Sequence, residues 1–257
     1  MLILLVMMFK EESLLFFPTR YPDGIWHPLG LEFEDAWITT ADGVRIHGWY
    51  IPCENPRVVA LFAHGNGGNL SHREDYYREL HRLGVAVLAF DYRGYGRSEG
   101  SPTEAGILAD GRAARAWLAK RAGVPESQIV LMGESLGGAV AVHLASEASA
   151  RALILENTFS SAPDVGAFHY PWLPIKLLMR TKLDSASLIS KYHGPLLQTH
   201  GDADTIVPIS LGRKLFDAAN EPKQFVLIAG GDHNDMRTPQ WHAALDQFLN
   251  SLPQLRP

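Results

Sequence analysis

The segment from Ile129 to Gly138, IVLMGESLGG, restricts the fold of this chain more than any other. A short apolar run stops at Gly133, Ser135 follows two residues later, and a segment with a helical pattern begins at once. A strand, a sharp turn and a helix in this order are typical of a nucleophile elbow, G-x-S-x-G. Glycines at 133 and 137 allow the strand and the helix to approach closely. The segment therefore predicts that the Ser135 hydroxyl stands clear of a sheet edge.

A second interpretation of this segment is a glycine-rich loop in which Ser135 only caps the following helix. The pattern carries little weight alone in a chain with 23 glycines, because five residues match readily by chance. Its surroundings favour the elbow, since the strand and the helix lie on the correct sides and candidate partners for a nucleophile occur later in the chain.

Unbroken apolar runs alternate with helical patterns along most of the chain, which is typical of a parallel sheet covered on both faces. Residues 31–39 and 44–51 flank an Ala-Asp-Gly turn and predict a hairpin at the start. We predict an α/β fold with a doubly wound, mostly parallel sheet of eight strands. The other predicted strands are residues 57–63, 85–90, 128–132, 152–155, 195–199 and 224–229.

Two segments interrupt this alternation. We interpret residues 1–30 as a hydrophobic arm and linker, and residues 31–257 as the folded domain. Residues 159–193 contain prolines and aromatic side chains and are too long for a simple connection. They predict either a small helical cap over a pocket or short surface helices that seal the sheet. Another local pattern, Ser101-Pro102 followed by Glu104, predicts a capping box at a helix start.

The nine residues Met1–Phe9 are all apolar, and Leu14–Phe17 is apolar again. Nine residues are too few to cross a bilayer as a helix, and a secretory signal fits poorly because a basic leader and a small-residue cleavage site are missing. An interfacial anchor or the remnant of a longer membrane helix fits as well as an arm packed on the domain. We expect either contact with a membrane surface through residues 1–17 or a cytoplasmic protein.

Composition excludes several classes of function. The formal net charge is −5 and no basic cluster occurs, so we expect no nucleic-acid partner. The single cysteine, Cys53, excludes an internal disulfide. No Cys, His and Asp cluster has the spacing of metal ligands, so we expect no metal and no cofactor.

Polar side chains follow the predicted strands at their carboxyl ends, where doubly wound sheets bind ligands. A serine hydroxyl needs a base to become a nucleophile, and His233, after the last strand, is the natural base for Ser135. The imidazole needs a carboxylate that fixes its tautomer. Asp204 and Asp202 can both supply it, and Glu156 is a weaker alternative. Other polar residues are expected to have no catalytic role. His64 and His200 are expected to be structural, and Asp232 and Asp235 to cap their loop or the next helix. Arg93 and Arg97 are expected to hold their own loop through backbone hydrogen bonds, and His143, on the helix after the elbow, to be packed or exposed.

From Leu31 onward the sequence resembles the α/β-hydrolase superfamily. Four motifs carry the resemblance: HGNGG at 64–68, DYRGYGRS at 91–98, GESLGG at 133–138, and HGDAD at 200–204 leading to Val207-Pro208. In detail the chain is similar to a small, minimally capped branch that includes esterases and membrane-associated depalmitoylating thioesterases. The resemblance implies that Asp204 is the acid. It also implies that the backbone amides of Asn66 and Leu136 form the oxyanion hole.

These features predict a serine hydrolase that cleaves short- to medium-chain carboxylic esters through a Ser135-His233-Asp204 triad and an acyl-enzyme. Its expected partner is a small-molecule acyl ester. One alternative is an acyl-protein thioesterase at a membrane surface, and another is a binding protein with an inert triad. A peptidase is disfavoured by the small insert, and a haloalkane dehalogenase by the serine at position 135.

Overall fold

One mixed sheet of eight strands organises residues 11–235 and 237–254, the part of the chain that the computed structural model describes. The strands are β1 (Glu34–Thr39), β2 (Arg45–Ile51), β3 (Val58–Ala63), β4 (Val85–Phe90), β5 (Ile129–Glu134), β6 (Ala152–Glu156), β7 (Leu196–Gly201) and β8 (Lys223–Ile228). In sheet order they are β1-β2-β4-β3-β5-β6-β7-β8. Strand β2 runs antiparallel to β1 and β4, and the other pairings are parallel. This confirms the predicted α/β fold.

Helices cover both faces of the sheet, which explains why β3 and β4 are apolar and buried along their whole length. The helices are α1 (Glu11–Leu15), α2 (Glu74–Arg82), α3 (Glu104–Ala122), α4 (Leu136–Glu147), α5 (Ala162–His169), α6 (Ile175–Leu178), α7 (Ser185–Leu188), α8 (Ile209–Ala218) and α9 (Pro239–Ser251). Helices α2 and α9 contribute to the core on one face, and α3 and α4 to the core on the other.

The start of α3 differs from the predicted capping box at Ser101. Thr103 is the N-cap, and its hydroxyl accepts a hydrogen bond of 3.0 Å from the amide of Gly106. Glu104 is the first helical residue, and its carboxylate accepts hydrogen bonds from the amides of Lys182 (2.8 Å) and Leu183 (2.7 Å). The capping prediction was therefore wrong, because this carboxylate is engaged by a distant part of the chain.

The segment 159–193 contains α5, α6, α7 and a 3-10 turn at Ile189–Lys191. Ser161 caps α5 by accepting a hydrogen bond from the amide of Asp164. The Asp164 carboxylate pairs with Lys176 at 2.7 Å and with Lys214 of α8 at 2.6 Å. The insert is thus helical and bound to the domain through carboxylates, whereas its exact limits stay a prediction.

Part of the predicted arm, residues 1–10, lies outside the described residues. After α1, Phe17–Pro18 pairs in parallel with Gly67–Gly68, in the loop that follows β3. The amide of Tyr21 then donates to the carbonyl of Gly96, in the loop that follows β4. The described arm therefore runs along loops at the carboxyl ends of the strands. None of the helices in this described part is both long and apolar enough to cross a bilayer.

Candidate active site

Ser135 occupies a strained turn between β5 and α4. Its backbone has φ 51° and ψ −113°, a positive φ that is uncommon for a residue with a side chain. A Cβ on Gly137 would lie 1.8 Å from the carbonyl oxygen of Ala63, and a Cβ on Gly133 would lie 2.2 Å from that of Gly137. These two positions therefore require glycine, in agreement with the close approach that the sequence predicted.

The residues after β6 connect this turn to the loop of His233. The amide of Ser135 donates to the carbonyl of Glu156 at 2.9 Å, and the hydroxyl of Thr158 donates to the carbonyl of Ser135 at 2.7 Å. Between them, the Asn157 side chain donates to the carbonyl of His233 at 2.7 Å and accepts from the amide of Gly201 at 3.0 Å. The serine turn, the end of β7 and the histidine loop are thus joined through consecutive residues.

Sequence reasoning missed Asn157 and Thr158. The available signal was a buried strand that ends in polar residues at the edge where ligands bind, and only Glu156 was weighed there. Asn157 has φ 45°, a conformation that asparagine tolerates better than most residues.

His233 and Asp204 form a buried pair. The Nδ1 atom of His233 lies 2.8 Å from Oδ2 of Asp204, and the two side chains are 10% and 0% exposed. The other oxygen of Asp204 accepts hydrogen bonds from the amides of Ile206 (2.9 Å) and Val207 (2.7 Å). Because Nδ1 faces the carboxylate, Nε2 is the nitrogen that remains for a proton from a nucleophile.

Burial alone would raise the pKa of Asp204, but hydrogen bonds from His200, His233 and the amide of Val207 outweigh it and hold that pKa well below its usual range. The carboxylate is therefore charged at neutral pH. A charged carboxylate at Nδ1 fixes the tautomer of the imidazole and stabilises the imidazolium that forms when it accepts a proton.

The other two candidate acids, Asp202 and Glu156, are engaged elsewhere. The carboxylate of Asp202 accepts a hydrogen bond of 2.6 Å from the amide of Gly230. Glu156 accepts hydrogen bonds from the hydroxyl of Tyr76 (2.8 Å) and the indole of Trp241 (3.0 Å). Each carboxylate therefore braces a neighbouring element, which leaves Asp204 in contact with His233.

Burial raises the pKa of Glu156 from its usual 4.5 to about 7, and the nearby charge of Glu134 adds to this rise. Hydrogen bonds from Tyr76 and Trp241 oppose the rise but do not cancel it. Between about pH 4.5 and pH 7, the Glu156 carboxyl is therefore ionised in the unfolded chain but protonated in the folded protein. The free energy of unfolding falls as the pH rises through this interval.

We expect Glu156→Gln to remove this pH dependence. The contribution of Glu156 is fully present below about pH 4.5 and is lost as the pH rises through about 7. Relative to the wild type, the variant should gain up to about 3 kcal/mol of unfolding free energy between these limits. Urea unfolding at both ends of the interval measures the gain, with the exposed Glu32→Gln as control. Parallel stability profiles for wild type and variant would contradict the assignment.

The predicted oxyanion-hole residues follow two neighbouring strands of the sheet, β3 and β5. Asn66 is in the loop after β3, Leu136 is the first residue of α4, and Ala63 of β3 pairs with Gly133 of β5. The amide of Leu136 is among the first of its helix, whose N–H groups have no acceptor within the helix. It is therefore free of intrahelical bonding, as a donor to a developing negative charge must be.

Two histidines brace loops at this edge. His64 is buried, and its Nδ1 lies 2.7 Å from the carbonyl oxygen of Gly65 while the hydroxyl of Tyr92 donates to its own carbonyl. His200 is also buried, and its Nε2 lies 2.9 Å from the carbonyl oxygen of Val207. These contacts agree with the structural roles expected from the sequence.

The two arginines of the 91–98 motif act differently from the prediction. Arg93 pairs with the carboxylates of Asp110 (2.8 Å) and Asp42 (2.7 Å), and the guanidinium of Arg97 lies over the ring of Trp26 at 4.8 Å. The expected backbone bonds within the loop are thus replaced by contacts to distant elements. Asp110 and Asp42 come from α3 and the hairpin turn, which local sequence does not place beside Arg93.

Within residues 11–235 and 237–254, no group of three or more His, Cys, Asp or Glu side chains is arranged to hold a metal ion.

Known proteins resemble this chain along most of its length. A family profile described as "Serine aminopeptidase, S33" matches residues 54–186. An uncharacterized protein of Mycobacterium tuberculosis is 39% identical over 247 residues, covering 95% of this chain and 88% of the relative. The Arabidopsis thaliana α/β hydrolase domain-containing protein WAV2 is 36% identical over 230 residues, covering 80% of this chain and 74% of the relative.

Solved structures show the same fold. An esterase of Pyrococcus furiosus matches with a TM-score of 0.74 at 22% identity, over 93% of this chain and 97% of the esterase. A Butyrivibrio proteoclasticus protein with bound ferulic acid matches with a TM-score of 0.71 at 20% identity, over 84% of this chain and 99% of that one. With the profile and the relatives, these likenesses lead to one conclusion: this chain belongs to the α/β-hydrolase family.

Proposed function

We propose that this α/β-hydrolase cleaves carboxylic esters with short- to medium-chain acyl groups, using Ser135 as nucleophile, His233 as base and Asp204 as acid. The observation that carries the proposal is the buried His233–Asp204 hydrogen bond of 2.8 Å, on loops that Asn157 joins to the serine turn. The Pyrococcus furiosus esterase described above has the same fold, and this likeness supports an ester as the substrate.

In the first half of the reaction, Ser135 attacks the acyl carbonyl while His233 accepts the hydroxyl proton. The amides of Asn66 and Leu136 stabilise the oxyanion, and each such donor contributes about 3 kcal/mol to lowering the barrier. The imidazolium then protonates the leaving alcohol. In the second half, a water molecule attacks the acyl carbonyl while His233 takes its proton, and the imidazolium returns that proton to Ser135 Oγ as the acid leaves.

A series of p-nitrophenyl esters from acetate to palmitate tests this proposal, with Ser135→Ala as control. We expect the largest kcat/KM at short to medium chains. The family profile is described by an aminopeptidase, so an aminoacyl p-nitroanilide belongs in the panel. A preference for the anilide would replace the ester proposal with a peptidase, and no turnover of any substrate would favour a binding protein with an inert triad.

A second candidate is an acyl-protein thioesterase at a membrane surface. Large apolar side chains are exposed on the insert, including Trp172 at 74% and Leu177 at 87%, and Leu14 and Phe17 are exposed on the arm. The arm contacts the insert through the Glu11 carboxylate, which accepts hydrogen bonds from the backbone amides of Arg180 and Thr181 in the insert. Exposed apolar residues on contacting elements favour an interface with lipid.

If this second candidate is correct, Leu177→Ser should weaken binding to phosphatidylcholine vesicles by about 30-fold, because one buried leucine contributes about 2 kcal/mol to such an interface. Hydrolysis of soluble p-nitrophenyl acetate should not change. Vesicle flotation measures binding, and Leu227→Ser on the edge strand β8 is the control. Equal flotation of both variants and no cleavage of an S-palmitoyl peptide would exclude the thioesterase.

A further inference from the structure

The side chain of Asn66 binds the amino-terminal arm. Its Oδ1 accepts hydrogen bonds from the amide of Phe17 (3.2 Å) and from the hydroxyl of Tyr95 (2.8 Å), and its Nδ2 donates to the carbonyl of Leu15 (2.5 Å). Both acceptor positions of Oδ1 and one of the two N–H groups of Nδ2 are therefore bonded to residues that are distant in sequence. Asn66 therefore carries two functions, since its backbone amide is the proposed oxyanion donor.

The arm is also held on both sides of the residues that contact Asn66. Upstream, the Glu11 carboxylate accepts hydrogen bonds from the amides of Arg180 (3.0 Å) and Thr181 (2.6 Å) in the insert. Downstream, Phe17–Pro18 pairs with Gly67–Gly68. Residues 11–18 thus join the insert directly to the loop that follows β3.

That loop has a second, independent support at residues 67 and 69. The guanidinium of Arg73 donates to the carbonyls of Gly67 and Asn69, both at 3.0 Å. The peptide that carries the Asn66 amide is held by His64, whose Nδ1 lies 2.7 Å from the carbonyl oxygen of Gly65, and through the Asn66 side chain with its three partners. Tyr95 supplies a rigid partner, because it is fully buried between the loops after β3 and β4.

We propose that the Asn66 side chain and the Tyr95 hydroxyl are positioning groups through which the amino-terminal arm sets the location of the Asn66 amide in the oxyanion hole. This inference rests on the proposed function. An oxyanion-hole donor contributes to catalysis only when it lies within hydrogen-bond reach of the developing charge. Turnover should therefore depend on the contacts that the described arm residues Leu15 and Phe17 make with the Asn66 side chain.

Asn66→Ala tests the inference because it removes the side-chain contacts but keeps the backbone amide. Complete loss of an oxyanion donor costs about 10²- to 10³-fold in kcat, so a displaced donor should cost about 10- to 100-fold. KM should stay within about threefold, and a trifluoromethyl ketone that mimics the tetrahedral intermediate should bind more weakly by the same factor as kcat. Tyr95→Phe should show the same pattern at about 3- to 10-fold.

Asn220→Ala is the matched control. The Asn220 side chain also makes three contacts to the chain, with the carbonyls of Ser190 and Tyr192 and with the ring of His193. It precedes β8, at the opposite edge of the sheet from the carboxyl ends of the strands. Asn220→Ala should therefore lower the melting temperature without changing kcat or inhibitor affinity.

A kcat of Asn66→Ala within about twofold of wild type would overturn the inference, as would a loss of kcat without weaker inhibitor binding. If Asn66→Ala does not fold, Tyr95→Phe decides by the same two readouts. If the wild type hydrolyses esters and both variants keep its kcat and inhibitor affinity, only this inference is refuted. If the wild type hydrolyses no ester, the proposed function and the inference are refuted together.

Discussion

Replacing Ser135 with alanine is expected to lower kcat/KM for a p-nitrophenyl ester by at least about 10⁴-fold, because no other group then forms the acyl-enzyme. The fold should persist, since the positive φ of residue 135 and its backbone bonds to Glu156 and Thr158 do not involve the hydroxyl. Initial rates and circular dichroism measure the two effects.

Ser146→Ala, on the helix that follows the serine turn, is the matched control and should keep wild-type activity. Its hydroxyl donates only to the carbonyl of His143, one turn earlier. Residual activity of Ser135→Ala near the wild-type level would show that another group is the nucleophile, and the triad would have to be abandoned.

Replacing Asp204 with asparagine is expected to lower kcat by about 10⁴-fold. The asparagine carbonyl can still accept the hydrogen bonds from Ile206 and Val207. Its amide would then face Nδ1 of His233 as a donor, which selects the wrong tautomer of the imidazole. Steady-state kinetics measure the loss, with thermal unfolding as a check on the fold.

The neighbouring change Asp202→Asn separates the two candidate acids. Asp202 supports the turn after β8 through Gly230, so its replacement should change kcat by no more than about threefold. A severe loss from Asp202→Asn together with a mild one from Asp204→Asn would reverse the assignment of the acid.

The sheet was predictable because its central parallel strands β3, β4, β5 and β6 are apolar runs that each end in a polar cluster. Parallel strands present their carboxyl ends at one edge, so this spacing predicted that Ser135, Asp204 and His233 share that edge, and the structure shows the contact between His233 and Asp204. The glycines at 133 and 137 were also predictable, since a nucleophile elbow requires small residues where strand and helix meet.

The contacts that hold the site were less predictable, because they join residues that are distant in sequence. The hydrogen bond from Asn157 to His233 spans 76 residues, and that from Asn66 to Leu15 spans 51. No local pattern distinguishes these asparagines from others in polar loops. The same limit explains the wrong helix cap, because the partners of Glu104 at 182 and 183 are not visible from the helix itself.

Labelling with a fluorophosphonate, followed by mass-spectrometric location of the adduct, tests the central claim most directly. The probe requires a serine hydroxyl activated by a base, so the account predicts one adduct per chain on Ser135, slowed strongly in Asp204→Asn and unaffected in Asp202→Asn. An unlabelled Ser135 in folded wild-type protein, or an adduct on a different residue, would contradict it.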